Sequence, residues 1–168
     1  MEEVDGTGRF FSVVSCHPGC VISAPLYGSL YLSDAPNKFA TESIKAGFEP
    51  VKGDTKLSEK INGFDMPVFG QLAYTGARPV LFDVRCVVSA KVEGLLLPLE
   101  VRFALAVNGD VIPETIAAQT LPVGVTQLLL VHGNIELQKG DYLELYVESE
   151  PDSSIVCSYY NLSAQAIV

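Results

Sequence analysis

Apolar and polar residues alternate most clearly at residues 80–92, where apolar side chains occupy every second position. The positions between them include charged residues such as Asp83 and Arg85. Alternation with a period of two predicts a β-strand that has one buried and one solvated face. After Gly94 the same pattern returns at residues 99–107, and we expect these two strands to pair antiparallel.

A tight turn follows this second strand. Asn108 and Gly109 both tolerate positive φ, as a two-residue hairpin turn requires. The chain then returns through Val111 and Ile112 to Pro113, which has no amide donor. We therefore expect only a short strand here, at the edge of a sheet.

A third long apolar run spans residues 125–137. We expect part of this strand to be covered on both sides, since both of its faces contain large apolar residues. One face contains Val125, Leu129, Val131, Ile135 and Leu137, and the other contains Leu128, Leu130 and His132. Turn residues at 138–141 lead into an alternating strand at 142–148, which predicts a hairpin. A polar loop and a last strand from residue 155 onward complete the chain.

The first half of the sequence is less regular. Short candidate strands occur at residues 9–15, 28–33, 39–46 and 68–75, and only residues 56–61 have a helical pattern. About eight to ten strands with frequent turns and no long helix predict an all-β sandwich or barrel of antiparallel strands. A possible domain boundary at residues 24–27 suggests that residues 1–26 form an N-terminal arm and residues 27–168 form the β domain.

Composition supports a globular domain. Of the 168 residues, 48% are apolar and 18% are charged, which is too apolar for a disordered chain. Twenty acidic residues against 11 Lys and Arg give a net charge of −9. Because binding to a nucleic-acid backbone requires a cationic surface, we expect no nucleic-acid partner.

We expect neither export by the usual route nor a membrane partner. Residues 1–5 are acidic, whereas a secretory signal begins with basic residues. The apolar stretch at residues 95–97 is far shorter than the roughly 20 residues of a membrane-spanning helix.

Four cysteines are present, at Cys16, Cys20, Cys86 and Cys157. A chain of this length folds without disulfides, so we expect free and mostly buried thiols. A Cys16–Cys20 disulfide closing a small loop remains the alternative. We expect no metal site, because zinc normally needs four closely placed ligands.

The sequence contains no arrangement typical of catalysis. Its two histidines, His17 and His132, lie outside any nucleophile-elbow, phosphate-loop or metalloprotease motif. We therefore expect no catalytic residues and no cofactor. Glu144 and Glu148 share one face of a predicted strand, so a carbohydrate-active enzyme using either carboxylate is the remaining enzymatic alternative.

Two further polar patterns indicate an ordinary surface. The acidic residues Asp141, Glu144, Glu148, Glu150 and Asp152 lack the ligand spacing and central glycine of a calcium loop. Asn161-Leu162-Ser163 fits the glycan acceptor pattern, which we ascribe to chance.

The tyrosines are more informative, since outward-facing tyrosines of a sandwich often pack against a second copy. They are Tyr27, Tyr31, Tyr74, Tyr142, Tyr146, Tyr159 and Tyr160.

The order of segments from residue 28 onward forms a pattern of its own. The segments are Gly28-Ser29-Leu30-Tyr31-Leu32-Ser33, Ala46-Gly47-Phe48-Glu49-Pro50-Val51, Gly70-Gln71-Leu72-Ala73-Tyr74-Thr75-Gly76, Phe103-Ala104-Leu105-Ala106-Val107-Asn108-Gly109, Val111-Ile112-Pro113 and Ile135-Glu136-Leu137-Gln138-Lys139-Gly140-Asp141-Tyr142-Leu143-Glu144-Leu145-Tyr146-Val147. This succession resembles the jelly-roll domains in structural proteins of tailed bacteriophages, which are similar to trimeric tumour-necrosis-factor-like knobs.

The resemblance implies an all-β jelly-roll β-sandwich with no catalytic residues, assembled as a homotrimer on the capsid exterior of a virion. Because the chain is short for a fibre, we expect a capsid decoration or cement protein, made in the host cytoplasm. Its partner would be the major capsid protein, whose neighbouring subunits it would bridge. The alternative is a receptor-binding tip of a phage head or tail fibre, with a host receptor or glycan as its partner.

Apolar residues on the predicted outer faces indicate where copies of the chain would meet. The candidate trimer interface comprises Leu128, Leu130, Tyr146, Val156, Tyr160 and Leu162. We expect Tyr160→Asp to convert the oligomer into monomers. The N-terminal arm has no counterpart in the resemblance, and it supplies the candidate capsid attachment residues Phe10, Phe11, Val13, Val21 and Ile22.

Overall fold

The computed structural model describes residues 3–4, 10–11, 25–33, 47–51, 53–93, 97–149 and 154–167, the first two pairs by their backbone alone. Strands account for most of these residues, and the only helical element among them is the 3₁₀ turn η1, Pro113–Thr115. The strands are β1 Glu3–Val4, β2 Phe10–Phe11, β3 Tyr27–Leu32, β4 Glu49–Pro50, β5 Thr55–Leu57, β6 Phe64–Asp65, β7 Leu72–Tyr74, β8 Val80–Glu93, β9 Leu99–Val107, β10 Asp110–Val111, β11 Ala117–Leu121, β12 Gln127–Leu137, β13 Tyr142–Ser149 and β14 Ser154–Ala166.

Two antiparallel sheets pack face to face. One has five strands in the order β12-β8-β14-β3-β5. The other has seven strands in the order β10-β9-β13-β7-β6, with β11 paired to β9 and β4 paired to β13. A separate two-stranded ladder joins β1 and β2. The structure is an all-β jelly-roll sandwich, as predicted.

The alternation in the sequence defines the core between the sheets. Alternate residues of β8, from Phe82 to Val92, are fully buried, and the inward residues of β9 and β13 are also buried. At one end of the sandwich Phe64, Tyr74 and Phe82 pack their rings together, with centroids 5.1 to 5.5 Å apart. β3 passes so close to this cluster that a side chain at Gly28 would overlap the side chain of Phe64.

Two predicted strand pairings are wrong. β8 and β9 are consecutive but belong to different sheets, since β8 pairs with β12 and β14 whereas β9 pairs with β10, β11 and β13. The hairpin predicted between β12 and β13 is also absent, because the turn at residues 138–141 carries the chain from one sheet to the other. Alternation fixes which face of a strand is buried, but it contains no information about the neighbouring strand.

Other local predictions had mixed outcomes. The turn at Asn108 and Gly109 is confirmed, with φ of 54° and 88°. The segment predicted as helical, residues 56–61, begins within β5, which pairs with β3. Val125 precedes β12 and is exposed, contrary to the inward position predicted for it. The predicted strand at residues 39–46 lies outside the described residues. Within the described part of the chain, no helix has the length and apolar character needed to cross a membrane.

Candidate assembly surface

The outer face of the five-stranded sheet has an apolar half and a polar half. Strand register sets Leu130 beside Val87, Asn161 and Tyr31 in one row across the sheet. The neighbouring row contains Leu128, Ser89 and Tyr159. We call Leu128, Leu130, Val87, Tyr159 and Tyr31 the apolar half. Leu128 is 67% exposed, Leu130 58% and Tyr159 43%, so this half is open to solvent.

A bulge in β14 determines which of its residues belong to this face. Cys157 lies opposite Ala90 and Tyr159 lies opposite Ser89, so Ser158 is an additional residue in β14. An additional residue inverts the alternation beyond it. As a result, Tyr159 faces outward while Tyr160 faces the core.

The structure therefore corrects part of the predicted trimer interface. Tyr160 is 1% exposed and Leu162 is fully buried, and both belong to the core between the sheets. Val156 is also buried, at 4% exposure. Tyr146 lies on β13 of the seven-stranded sheet, half-buried and away from the apolar half. Of the six predicted residues, only Leu128 and Leu130 lie on one exposed surface.

An apolar edge adjoins this surface. Ile116, Val123 and Val125 are exposed, and they lie in or beside the segment that connects η1 and β11 to β12. Ile116 and Val123 lie outside the alternating runs of the sequence, whereas Val125 had been predicted to face inward. Leu128 and Leu130 are on β12, the outermost strand of the sheet, and Val125 lies two residues before β12 begins.

The polar half contains a charged cluster. Nη2 of Arg85 lies 2.6 Å from Oδ2 of Asp83, and Nε2 of His132 lies 2.9 Å from Oδ1 of the same carboxylate. The hydrogen bond from Arg85 holds the pKa of Asp83 below its ordinary value, and the bond from His132 lowers it further. Next to this cluster, the Ser29 hydroxyl donates to Oδ1 of Asn161 at 3.1 Å.

The carboxylates proposed for an enzyme are engaged elsewhere, on the outer face of the seven-stranded sheet. Glu144 accepts a hydrogen bond from Nε2 of Gln71 at 3.1 Å, and Glu148 forms an ion pair with Arg102 at 3.1 Å. Four residues apart on a strand, Glu144 and Glu148 are separated by about 13 Å. Glycosidase carboxyl pairs lie about 5 to 9.5 Å apart, so these two do not form such a pair.

The acidic run also includes Asp141, which stabilises a turn. Its carboxylate accepts hydrogen bonds from the backbone amide of Gln138 and from Nδ2 of Asn108, both at 2.8 Å. Glu150 and Asp152 lie outside the described residues. Among the residues that are described, no group of three or more His, Cys, Asp or Glu side chains could hold a metal ion.

Cys86 and Cys157 are free and buried, as predicted. Burial raises the pKa of Cys157 to about 12 and that of Cys86 further. Both thiols are therefore protonated at neutral pH and chemically inert.

The candidate attachment residues are not placed by the structure. Phe10 and Phe11 form β2, described by its backbone. Val13, Val21 and Ile22 lie outside the described residues, as do Cys16, His17 and Cys20.

Known structures share this arrangement of strands. A tumour necrosis factor, Eiger, from S. frugiperda superposes with a TM-score of 0.53 at 8% identity, covering 87% of this chain and 94% of that one. The globular domain of zebrafish complement 1qA gives 0.52 at 13% identity, covering 86% and 98%. Murine APRIL gives 0.50 at 7% identity, covering 83% and 98%.

The fold is a TNF/C1q-like jelly roll. The similarity to tumour-necrosis-factor-like knobs expected from the order of segments is thereby confirmed at the level of fold. At these identities the superpositions establish the fold alone. The sequence matches no protein-family model and no curated protein.

Proposed function

We propose that this chain is a non-enzymatic virion structural protein that assembles as a homotrimer and decorates the capsid exterior, where it bridges neighbouring major capsid subunits. The observation on which the proposal rests is the apolar half of the five-stranded sheet. Leu128 and Leu130 are exposed on β12, and the exposed ring of Tyr159 lies on β14, across Ser89 of β8 from Leu128. Monomeric proteins rarely expose such surfaces, which usually mark a site of association.

The dimensions of the face suit a second copy. β12, β8 and β14 contain 11, 14 and 13 residues. At about 3.3 Å per residue and about 4.8 Å per strand, the face of these three strands measures roughly 36 by 14 Å, or about 500 Å². A stable interface buries about 800 Å² on each partner. The face therefore supplies most of that area, and the adjoining edge would have to supply the rest.

The presence of both an apolar edge and an apolar face supports a ring. A contact between different surfaces on each copy is heterologous, and such contacts close into rings when the rotation permits. The edge at Ile116, Val123 and Val125 supplies one surface, and the apolar half supplies the other. Three copies is the number implied by the resemblance to trimeric phage domains.

Capsid decoration is supported by the resemblance in the order of segments. A decoration protein acts mechanically. Because it binds the assembled shell and not free subunits, its binding free energy opposes disassembly.

Light scattering after size exclusion tests the assembly. The wild-type mass should be three times the 18.1 kDa of the chain. Leu130→Asp should reduce it to the monomer, since a charge in the interface would lose its hydration. Val68→Asp is the matched control, because Val68 is similarly exposed in the turn before β7, away from this face. A monomeric wild-type protein, or a trimeric Leu130→Asp variant, would refute the interface.

Binding to particles tests the role. Purified protein should co-sediment in saturable, stoichiometric amounts with expanded, undecorated capsids of the virus that encodes it. Binding to host cells without binding to capsids would instead favour the receptor-binding alternative.

A further inference from the structure

Two adjacent apolar residues are exposed on a turn outside the proposed trimer interface. In the segment that joins β6 to β7, Val68 is 57% exposed and Phe69 is 62% exposed. Neither packs against the core between the sheets, whereas Met66 of the same segment does. Single exposed apolar residues are ordinary on a protein surface, but two neighbours on one turn form a small apolar patch. We call Val68 and Phe69 the apolar tip.

Hydrogen bonds fix the backbone of this turn. The buried amide of Gly70 donates to Oγ1 of Thr55 at 2.7 Å, and the amide of Gln71 donates to the carbonyl of Val68 at 3.1 Å. Gly70 has a φ of 85°, a conformation that favours glycine. Because the turn is ordered before any partner binds, little conformational entropy is lost when the apolar tip is covered.

The apolar tip lies at the opposite edge of the sandwich from Leu128 and Leu130. Thr55, which holds the turn, belongs to β5, and β5 and β12 are the two outermost strands of the five-stranded sheet. A trimer joined through the apolar half and the edge beside β12 therefore leaves the apolar tip uncovered. Each trimer presents three of these tips.

The charged groups beside the apolar tip are carboxylates. Asp65 ends β6, Asp54 precedes β5, and Glu144 accepts a hydrogen bond from Gln71 at the start of β7. Among the described residues, none of these three carboxylates forms an ion pair. We call Asp54, Asp65 and Glu144 the acidic rim.

The cation of β5 does not neutralise this rim. Lys56 lies opposite Tyr31 in the β3–β5 register, so its side chain shares the outer face of the five-stranded sheet. Its neighbour Thr55 is buried and faces the turn. Complementary charges favour association, so the surface that fits the apolar tip is an apolar recess bordered by Lys and Arg.

We propose that the apolar tip inserts into an apolar recess with a basic border on a major capsid subunit. The inference rests on the proposed function, since it takes the capsid as the partner. Three tips on one trimer contact three neighbouring subunits, which is the geometry that bridging requires. Linked contacts of this kind bind far more tightly than a single contact, because the second and third contacts form within one complex.

Co-sedimentation with expanded, undecorated capsids tests the apolar tip. Phe69→Ala should weaken binding by at least about 30-fold, because an aromatic anchor in a pocket contributes much of the binding free energy. Val68→Asp should also weaken binding, since it places a charge in the recess. Both variants should remain trimeric in light scattering. Leu97→Ala is the matched control, because Leu97 is 74% exposed between β8 and β9 and should be dispensable for capsid binding.

Salt and charge variants test the acidic rim. Wild-type binding should weaken as NaCl is raised from about 0.05 to about 0.5 M, because salt screens exposed charges. The double variant Asp54→Asn/Asp65→Asn should bind more weakly at low salt and depend less on salt. Asparagine at position 65 keeps the Oδ1 atom that accepts the amide of Met66. Wild-type binding that is insensitive to salt would overturn the basic border.

The outcomes separate this inference from the proposed function. A wild-type trimer that does not bind capsids overturns both. Capsid binding that is unchanged in Phe69→Ala overturns the apolar tip alone, and so does an equal loss in Leu97→Ala. A monomeric Phe69→Ala variant would assign the turn to the trimer interface, and wild-type trimers that pair through this turn would make a second copy its occupant. Either result overturns the inference.

Discussion

Tyr159 lies opposite Ser89 across the β14–β8 pair, one residue out of step with Cys157, which lies opposite Ala90. Without this offset, alternation from the inward-facing Ile155 would point Tyr159 toward the core and Tyr160 toward solvent. The offset reverses both orientations. Tyr159 becomes part of the exposed apolar half, and Tyr160 becomes one of the largest fully buried side chains.

Substitutions at the two tyrosines should therefore have different effects. Tyr160→Ala should lower the free energy of unfolding by about 3–5 kcal/mol, because it removes a large buried ring. Tyr159→Asp should leave the stability of the subunit nearly unchanged and weaken its assembly. Urea unfolding and light scattering of both variants measure the two quantities. A folded, fully stable Tyr160→Ala monomer would contradict the structure.

Thr115 should contribute through its hydroxyl group. Its oxygen accepts a hydrogen bond from the buried amide of Leu105 at 2.9 Å, and its hydroxyl donates to the carbonyl of Ile112 at 2.8 Å. Thr115→Val removes the acceptor of the Leu105 amide, whereas the Ile112 carbonyl still accepts a hydrogen bond from the backbone amide of Thr115 at 3.0 Å. We expect a loss of about 1–3 kcal/mol in unfolding free energy. Thr115→Ser keeps the hydroxyl and should lose less. Equal losses in the two variants would contradict this, since they would show that the methyl group beside Gly133 contributes as much as the hydroxyl.

Gly28 should tolerate no side chain while Phe64 is present. A Cβ atom at Gly28 would overlap the Phe64 ring, so Gly28→Ala should destabilise the fold by about 1–3 kcal/mol. Phe64→Ala in the same chain should recover part of this loss, because it removes the Cγ and Cδ2 atoms of the overlap, although Phe64→Ala alone is destabilising. Thermal unfolding of the two single variants and the double variant measures the coupling. Strictly additive losses would argue against the contact.

The two buried thiols should be unreactive in the folded protein. In a Cys16→Ser/Cys20→Ser variant, Cys86 and Cys157 should not react with a thiol reagent at pH 8, because burial keeps their pKa values far above that pH. Both should react stoichiometrically in denaturant. Rapid labelling of the native variant would indicate that the core opens under native conditions.

The sequence alone determined the faces of the long strands. Alternation in β8, β9 and β13 placed their inward residues correctly, and Asn108-Gly109 placed a turn, because both signals depend on neighbouring residues. The order of segments indicated a jelly roll, which the superpositions confirm. The exposed Leu128 and Leu130 were likewise identifiable from their positions on the outward side of β12.

Only the tertiary structure determined strand pairing and register, because both depend on residues that are distant in the sequence. It separated β8 from β9 and β12 from β13 into opposite sheets, since strand partners are chosen by packing across the whole sandwich. The bulge at Ser158, which exchanges the roles of Tyr159 and Tyr160, arises where β14 pairs with β8 and leaves no pattern in the sequence. The Asp83–His132 contact joins residues 49 positions apart for the same reason. Local alternation fixes orientation, whereas partners and register follow from long-range contacts.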